Sequence, residues 1–325
     1  MNRKGRLRGW GGVGGMALAC AAAASLLVPL SRHGAGEDGG RVGGPGIAQG
    51  VQAKADTCKD PEASLPPSGD DGPTVAKIRQ NGKLRVGVDQ NSFRWGYRNP
   101  ATGQLEGFDI ELVRAIAKNI LGDPDAVIYR TIPTSQRVPA LQKNQVDIVV
   151  RTMTINCKRI GQVAFSSAYF KAGQQVLAPK DSTITGYNPT LKGKKVCTAA
   201  GSTAFDALEK NAYGALYKDL TVPSQLDCLV RLQLGQVDAV VTDNALAAGQ
   251  AAQDPAVQLK GDPFTEEYYG VAANLQSTDL VRRINQVLVD YRSGGTNSLW
   301  MKAYRDWLAA DLPGISGPPE PKYLS

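Results

Sequence analysis

Histidine is almost missing from this chain. Of 325 residues a single one is His, His33, and it falls in a glycine-rich stretch. That takes the usual general base of hydrolases out of every patterned segment. CxxC spacings are missing too, so neither cysteine nor histidine offers the frame of a metal site. A true excess of one charge is also lacking. The formal net charge is +7, but the four basic residues of MNRKGRLRGW have no acid beside them, and without residues 1–30 there remain 33 Lys plus Arg against 30 Asp plus Glu. The basicity is mostly targeting, which removes the main support for a nucleic-acid partner.

What is present starts with that N-terminus. The basic decapeptide leads into GGVGGMALACAAAASLLVPL, a run without charge. This is the pattern of an export signal or an N-terminal membrane anchor over residues 1–30. Met16-Ala17-Leu18-Ala19-Cys20 resembles a bacterial lipoprotein cleavage site, with Cys20 as the lipidated residue. Ala17 stands where Leu is usual, and apolar residues continue beyond Cys20, which equally suits an uncleaved anchor or a later cleavage site. In each version the remaining chain is exported. Residues 31–50 hold eight glycines, and the composition stays rich in Gly, Pro and charge to about Gly72, so 31–73 is expected to be a flexible tether. Cys58, Cys157, Cys197 and Cys228 are an even set in an exported chain, implying two disulfides with three possible pairings.

The folded body is expected from Thr74, an N-cap for the helix VAKIRQ, with strand LRVGV at 84–88. In GFDIELVRAIAKNILG the residues Phe108, Leu112, Ile116 and Ile120 repeat at i+4, which predicts an amphipathic helix ended by Gly122. Strand AVIYRTI (126–132), helix SQRVPALQ with Thr134 or Ser135 as cap, and strand VDIVV (146–150) follow. Strands alternating with helices imply parallel α/β sheets.

An internal echo sets the architecture. ALQKNQVDIVVRT (140–152) and RLQLGQVDAVVTD (231–243) agree at seven of thirteen positions. NGKLRV (81–86) and KGKKVC (192–197) each place Gly-Lys before a strand. The body therefore reads as two similar α/β lobes. Lobe 1 is expected at 74–179 and 265–312, lobe 2 at 180–264, with two crossing strands as hinge and a Pro-rich tail at 313–325. QQVLAPKDS (174–182) is placed near the end of lobe 1, and EEYYGVAANL (266–275) as one returning strand.

Ligands of open α/β sheets sit outside the carboxyl ends of the strands. The echo aligns Thr152 with Asp243 at two such ends. If the lobes face each other, Thr152, Thr154 and Arg159 of RTMTINCKR form one wall and Asp243 the other. A guanidinium with hydroxyls suits a carboxylate, and a lone carboxylate opposite suits an ammonium. Together they describe an α-amino-acid head group. Plainer roles exist for each residue. An Arg after a strand is more often on the surface, Asp243 can cap the helix NALAAGQAA, and Ser202 or Thr203 in AAGSTAF can be only a helix cap.

Taken together, GFDIEL, TSQRVPALQ, VDIVVRTMTINCKR, AFSSAYF, LKGKKV, AAGST, QVDAVVTDNA and YYGVAAN resemble bacterial family 3 solute-binding proteins, the polar amino-acid receptors of ABC importers. Actinobacterial glutamate and glutamine binding lipoproteins look most alike, with four cysteines in similar places. The resemblance runs from about Thr74 to Leu308. It implies a two-lobed periplasmic-binding-protein-like fold of type II, no catalysis, no cofactor or metal, a monomer, and a permease partner. By the same likeness Thr154 and Arg159 bind the ligand α-carboxylate, Thr152 and Asp243 its ammonium, and Ser202 and Thr203 complete the carboxylate site. Arg137 matches an arginine that reaches the side chain of acidic ligands, with Ser135 beside it.

The sequence departs from the family pattern at three positions. Asp89 stands where one acidic-ligand receptor type has an Arg, Thr134 replaces an aromatic of glutamine receptors, and Arg151 falls where small residues are usual. At the mouth of the cleft Arg151 would add positive charge. Two arginines near the side-chain end favour glutamate or aspartate, with asparagine and glutamine as the amide alternatives. The likeness and the lobe assignment imply the bridges Cys197–Cys228 within lobe 2 and Cys58–Cys157 beneath the clamp. Two rival functions fit the same fold: a sensor subunit of a membrane signalling partner, and a cyclohexadienyl dehydratase-like enzyme, whose acid would be Asp89.

Overall fold

The computed structural model describes residues 58–325. The expected signal or anchor at 1–30 with Cys20, His33, and the tether from 31 to 57 lie outside the described residues. Within them, no helix is long and apolar enough to cross a membrane.

The strand Leu84–Val88 is buried along nearly its whole length, as a strand covered on both faces must be. It lies inside a five-stranded sheet, parallel to Val127–Thr131 on one side and to Ile148–Val149 on the other. Ala272–Ala273 and then Ala164–Phe165 complete that sheet, each step antiparallel. The second sheet has the order Thr221–Val222, Val196–Ala199, Ala239–Asp243, Gln174–Pro179, Val257–Lys260. Its first three strands run parallel and its last two join antiparallel. Each lobe is therefore a mixed sheet rather than the purely parallel one expected. Strands joined through helices run parallel, and strands next to the crossings between lobes enter in the opposite sense.

The helix Phe108–Leu121 buries Phe108, Leu112, Ile116 and Ile120 and stops at Gly122 in the left-handed conformation, φ 77°. These residues share a core with Val86 and Ile284 of lobe 1. Lobe 2 has its own core, including Val196, Val241, Ala204 and Leu208.

The echoed motifs have matching physical roles. Asp147 N donates to Arg85 O, and Asp147 Oδ2 accepts from Arg85 N at 2.8 Å. In lobe 2, Asp238 N donates to Lys195 O, and Asp238 Oδ2 accepts from Lys195 N at 2.7 Å. Each aspartate of a QVD motif thus locks its strand against the neighbour that begins with the Gly-Lys motif.

Three expected boundaries move. Gln174–Pro179 pairs in the second sheet, so lobe 2 begins by about residue 174 and not at 180. EEYYGVAANL is two strands, not one. Glu267–Tyr269 pairs antiparallel with Phe170–Ala172 to make the hinge, and Ala272–Ala273 then joins the lobe 1 sheet. Residues 58–73 are not a loose tether. Ser64 Oγ donates to Phe165 O at 2.7 Å, Leu324 N donates to Ser64 O at 2.7 Å, and Asn285 Nδ2 donates to Ser64 Oγ at 2.8 Å. The tail at 313–325 is tied to Ser64 through Lys322 O and Leu324 N.

The first helix, Pro73–Asn81, starts at Gly72 rather than at a Thr74 cap. Its free N–H groups are taken by Asp279, whose Oδ2 accepts from Thr74 N at 2.7 Å and Val75 N at 3.0 Å. The disulfides are Cys58–Cys157 and Cys197–Cys228.

Candidate functional site

The two lobes are in contact across the cleft. Thr134 N of lobe 1 donates to Pro223 O of lobe 2 at 3.1 Å, and Trp95 Nε1 donates to Ala245 O at 3.1 Å. Arg159 Nη2 reaches Gly201 O at 3.2 Å. Gly201 has φ +76°, and a Cβ there would come within 3.0 Å of the Ser135 Cα. A glycine is what allows the lobes to close this far. A cavity of about 290 Å³ opens between them, lined by Thr134, Ser135, Arg137 and Arg159 from lobe 1 and by Gly201 and Asp206 from lobe 2. Its size suits a small polar molecule.

RTMTINCKR leaves its sheet in a strained turn. Thr152 has φ +39°, which is costly for a β-branched residue. The turn is held by Asp109: Oδ2 accepts from Thr152 N at 3.0 Å and Oδ1 from the Tyr169 hydroxyl at 2.8 Å. Burial pushes the Asp109 carboxyl up to about 7 against these two bonds.

Arg151 lines a second opening between the lobes, together with Asp89, Pro133, Pro223 and Ser224. It is buried, its Nη2 lies 2.8 Å from Asp89 Oδ2, and its Nη1 donates to Thr134 Oγ at 2.9 Å. Asp89 is saturated as well, since Oδ1 accepts from Gln90 N and Asn91 N and Oδ2 from the Ser92 hydroxyl. The positive charge expected there is thus paired with Asp89. The same contacts occupy the carboxylate on which the enzyme alternative depends.

Arg137 is different. Its Nε donates to Thr134 O at 3.0 Å and its Nη1 to Arg151 O and Thr152 O at 3.1 and 3.3 Å. Its Nη2 has no partner among the described residues, and the residue lines the cavity. Burial, then Arg159 and Arg151, holds its pKa well below the usual value. A buried guanidinium beside an opening, with two N–H groups free, is a ready donor to an oxygen.

Arg159 sits in the short helix Cys157–Ile160, whose N-cap Asn156 accepts from Arg159 N at 2.9 Å. Its Nη1 donates to Thr154 O at 2.7 Å. Burial lowers its pKa, while Glu267 and Asp243 oppose that shift. The Thr154 hydroxyl donates to Glu267 Oε2 at 2.6 Å, and the Thr203 hydroxyl donates to the same oxygen at 2.9 Å. Asp243 heads the helix Asn244–Gln253, yet its side chain does not cap it. The carboxylate accepts instead from Gln174 Nε2 and the Tyr269 hydroxyl. Burial first, and Glu267 second, pushes Asp243 up to about 7. Ser202 is the cap of Thr203–Lys210, accepting from Phe205 N at 3.1 Å. Ser135 is exposed at the rim.

The structure places Ser135, Arg137 and Arg159 in the cavity wall, links Thr154, Thr203 and Asp243 to one another through Glu267 and Gln174, and uses the Ser202 side chain as a helix cap. Sequence reading missed Glu267, Gln174, Tyr269 and Asp109. The signal for Glu267 lay in the hinge strand, where a charged residue among apolar ones has to face something polar.

Comparison with known proteins agrees with this geometry. Residues 84–309 match the profile of the bacterial extracellular solute-binding proteins, family 3. A glutamine-binding protein of an ABC transporter from Bacillus subtilis is 36% identical over 238 residues, covering 73% of this chain and 85% of the relative. A glutamate-binding protein from Corynebacterium glutamicum is 28% identical over 240 residues, 70% of this chain and 80% of the relative. The solved structure of an ancestral arginine-binding protein bound to glutamine superposes with a TM-score of 0.64 at 36% identity, covering 70% of this chain and 98% of that one. The two-lobed fold and the length of the match leave one conclusion: the chain belongs to the bacterial extracellular solute-binding proteins of family 3.

Proposed function

We propose that this protein is a membrane-tethered extracytoplasmic receptor that closes on glutamine and delivers it to an ABC permease. Its homologues are amino-acid-binding proteins of ABC importers. The choice of ligand rests on the Arg151–Asp89 ion pair. With Arg151 neutralised by Asp89, the preference for glutamate or aspartate loses one of the two arginines that carried it. The ionisable groups around the cleft are then Arg137 and Arg159 against Asp109, Asp243 and Glu267. A second ligand carboxylate would have Arg137 alone as its partner and would give up its water, at a cost of roughly several kcal/mol. A neutral amide avoids that cost.

In this reading Arg159 pairs with the ligand α-carboxylate and Asp243 with its ammonium. The free Nη2 of Arg137 donates to the side-chain amide oxygen. Closure follows because only the closed form offers contacts from both lobes at once. The test is calorimetry of the purified protein against glutamine, glutamate, asparagine, aspartate and arginine. Glutamine should bind most tightly, and a clear preference for glutamate would overturn the proposal. Arg159→Ala should abolish binding of all of them. Arg137→Ala should weaken glutamine by roughly tenfold or more, the scale of a lost hydrogen bond to a charged group, and leave alanine nearly untouched.

A further inference from the structure

Lobe 2 also rests on lobe 1 away from the cavity. The loop between the short paired strands Asn91–Ser92 and Gly96–Arg98 carries Phe93, Arg94 and Trp95. It is fixed to lobe 1 on three sides. Trp95 is 1% exposed, with its ring set edge-on against Phe108, Phe170 and Tyr269 at centroid distances of 5.4, 4.7 and 5.7 Å. Arg94 takes the left-handed conformation, φ 65°, and its carbonyl accepts from Phe108 N at 2.9 Å. The Arg94 guanidinium lies 3.0 Å from Asp311 Oδ2, just before the tail, and 5.2 Å from the centre of the Phe93 ring.

On its other side the loop meets the lobe 2 helix Asn244–Gln253, which begins directly after Asp243. Trp95 Nε1 donates to Ala245 O at 3.1 Å. One turn further on, a Cβ at Gly249 would stand 2.9 Å from Phe93 O, closer than a methyl group and a carbonyl oxygen pack. Ala245 and Gly249 are i and i+4, so both contacts fall on one face of the helix. The helix is shared between the two cores: Ala245 and Leu246 pack with Trp95 in lobe 1, and Ala247 packs in lobe 2. We infer that the Phe93–Trp95 loop is the seat on which lobe 2 closes, and that Gly249 and Phe93 set the closed fraction of the protein without touching the ligand. Neither residue lines the cavity. This rests on the receptor reading of the site, because a ligand held from both lobes binds the closed form. The apparent Kd is then the intrinsic Kd divided by the closed fraction. Damage to the seat weakens every ligand by one common factor and leaves selectivity alone. Gly249 and Phe93 are thus positioning residues, acting through the placement of lobe 2 and of Asp243 at the head of its helix.

Gly249→Ala separates this role from plain stability. Alanine is the better helix former in a helix interior, so the midpoint of urea unfolding should hold or rise. Affinity should move the other way: glutamine, glutamate and asparagine should each weaken by the same factor, roughly threefold to tenfold, with their ratios within about twofold of wild type. X-ray scattering should give unliganded Gly249→Ala a larger radius of gyration than unliganded wild type, and saturating glutamine should bring the two together. Asp311→Ala, which releases Arg94 without adding an atom at the interface, should weaken the three ligands in equal proportion. Unchanged affinities in Gly249→Ala, or a loss that differs among the ligands, overturns the seat, as does an unfolding midpoint that falls in step with affinity. A wild-type protein that binds none of the three refutes the receptor reading instead. The unliganded scattering comparison then decides the seat by itself, an unchanged radius of gyration overturning it.

Discussion

Arg151 and Asp89 lie 2.8 Å apart with 3% and 8% of their side chains exposed. A charge pair this deep is held by its partner rather than by water. Removing one member leaves the other uncompensated, which costs far more than the intact pair contributes.

Asp89→Asn should therefore destabilise the protein by about 3–5 kcal/mol, the range for breaking a buried pair, read as a lower midpoint of urea unfolding. It should also alter ligand choice. Arg151 would regain an unbalanced charge beside Thr134, and the preference for glutamine over glutamate should narrow by roughly tenfold. An unchanged preference would mean that Arg151 does not contribute to the field at the ligand side chain.

Asp243 gives the site a pH dependence whose sign can be worked out. Burial and Glu267 raise its carboxyl to about 7, against 3.8 in the reference state. A raised folded pKa means that the unliganded protein holds a proton that the unfolded chain releases. Its contribution to stability is thus fully present below about 4 and declines as pH rises through about 7. Ligand binding has the opposite need, because an ammonium pairs with the ionised form. Affinity for glutamine should therefore climb from about pH 5 to about pH 7.5, by up to roughly tenfold per pH unit, with a proton released on binding. Calorimetry in two buffers of different ionisation heat measures that proton. Asp243→Asn should bind weakly and lose most of the slope.

Much of this was legible in the sequence, for identifiable reasons. The helix at 108–121 was fixed by its i+4 apolar repeat, and the two lobes by the QVD and Gly-Lys echoes, which the Asp147 and Asp238 contacts turn out to share. Arg159 and Asp243 were singled out because strand ends in such folds face ligands, and both are buried beyond those ends. The state of Arg151 was not, because its partner Asp89 lies sixty-two positions earlier and only the fold joins them. Glu267 was hidden for a similar reason. It sits in a segment that reads as one apolar strand, and its two threonines come from opposite lobes. The lobe boundary at 174 escaped because local pattern does not say which sheet a hinge-crossing strand will join.

The two disulfides should separate cleanly under reduction. Cys58 and Cys157 are both exposed, whereas Cys197 and Cys228 are fully buried in the lobe 2 core. A reductant must reach sulfur before exchange can occur, so access sets the order. Mild dithiothreitol on the folded protein, followed by alkylation and peptide mapping, should label Cys58 and Cys157 first and leave Cys197 and Cys228 until the chain unfolds. The first step should cost about 3–5 kcal/mol of stability, the loop-closure scale for a separation of 99 residues. Glutamine binding should survive it with a loss below roughly tenfold, because Asn156 still caps the turn that carries Arg159. Simultaneous labelling of all four cysteines would show that the folded state opens globally before the exposed bridge is reached.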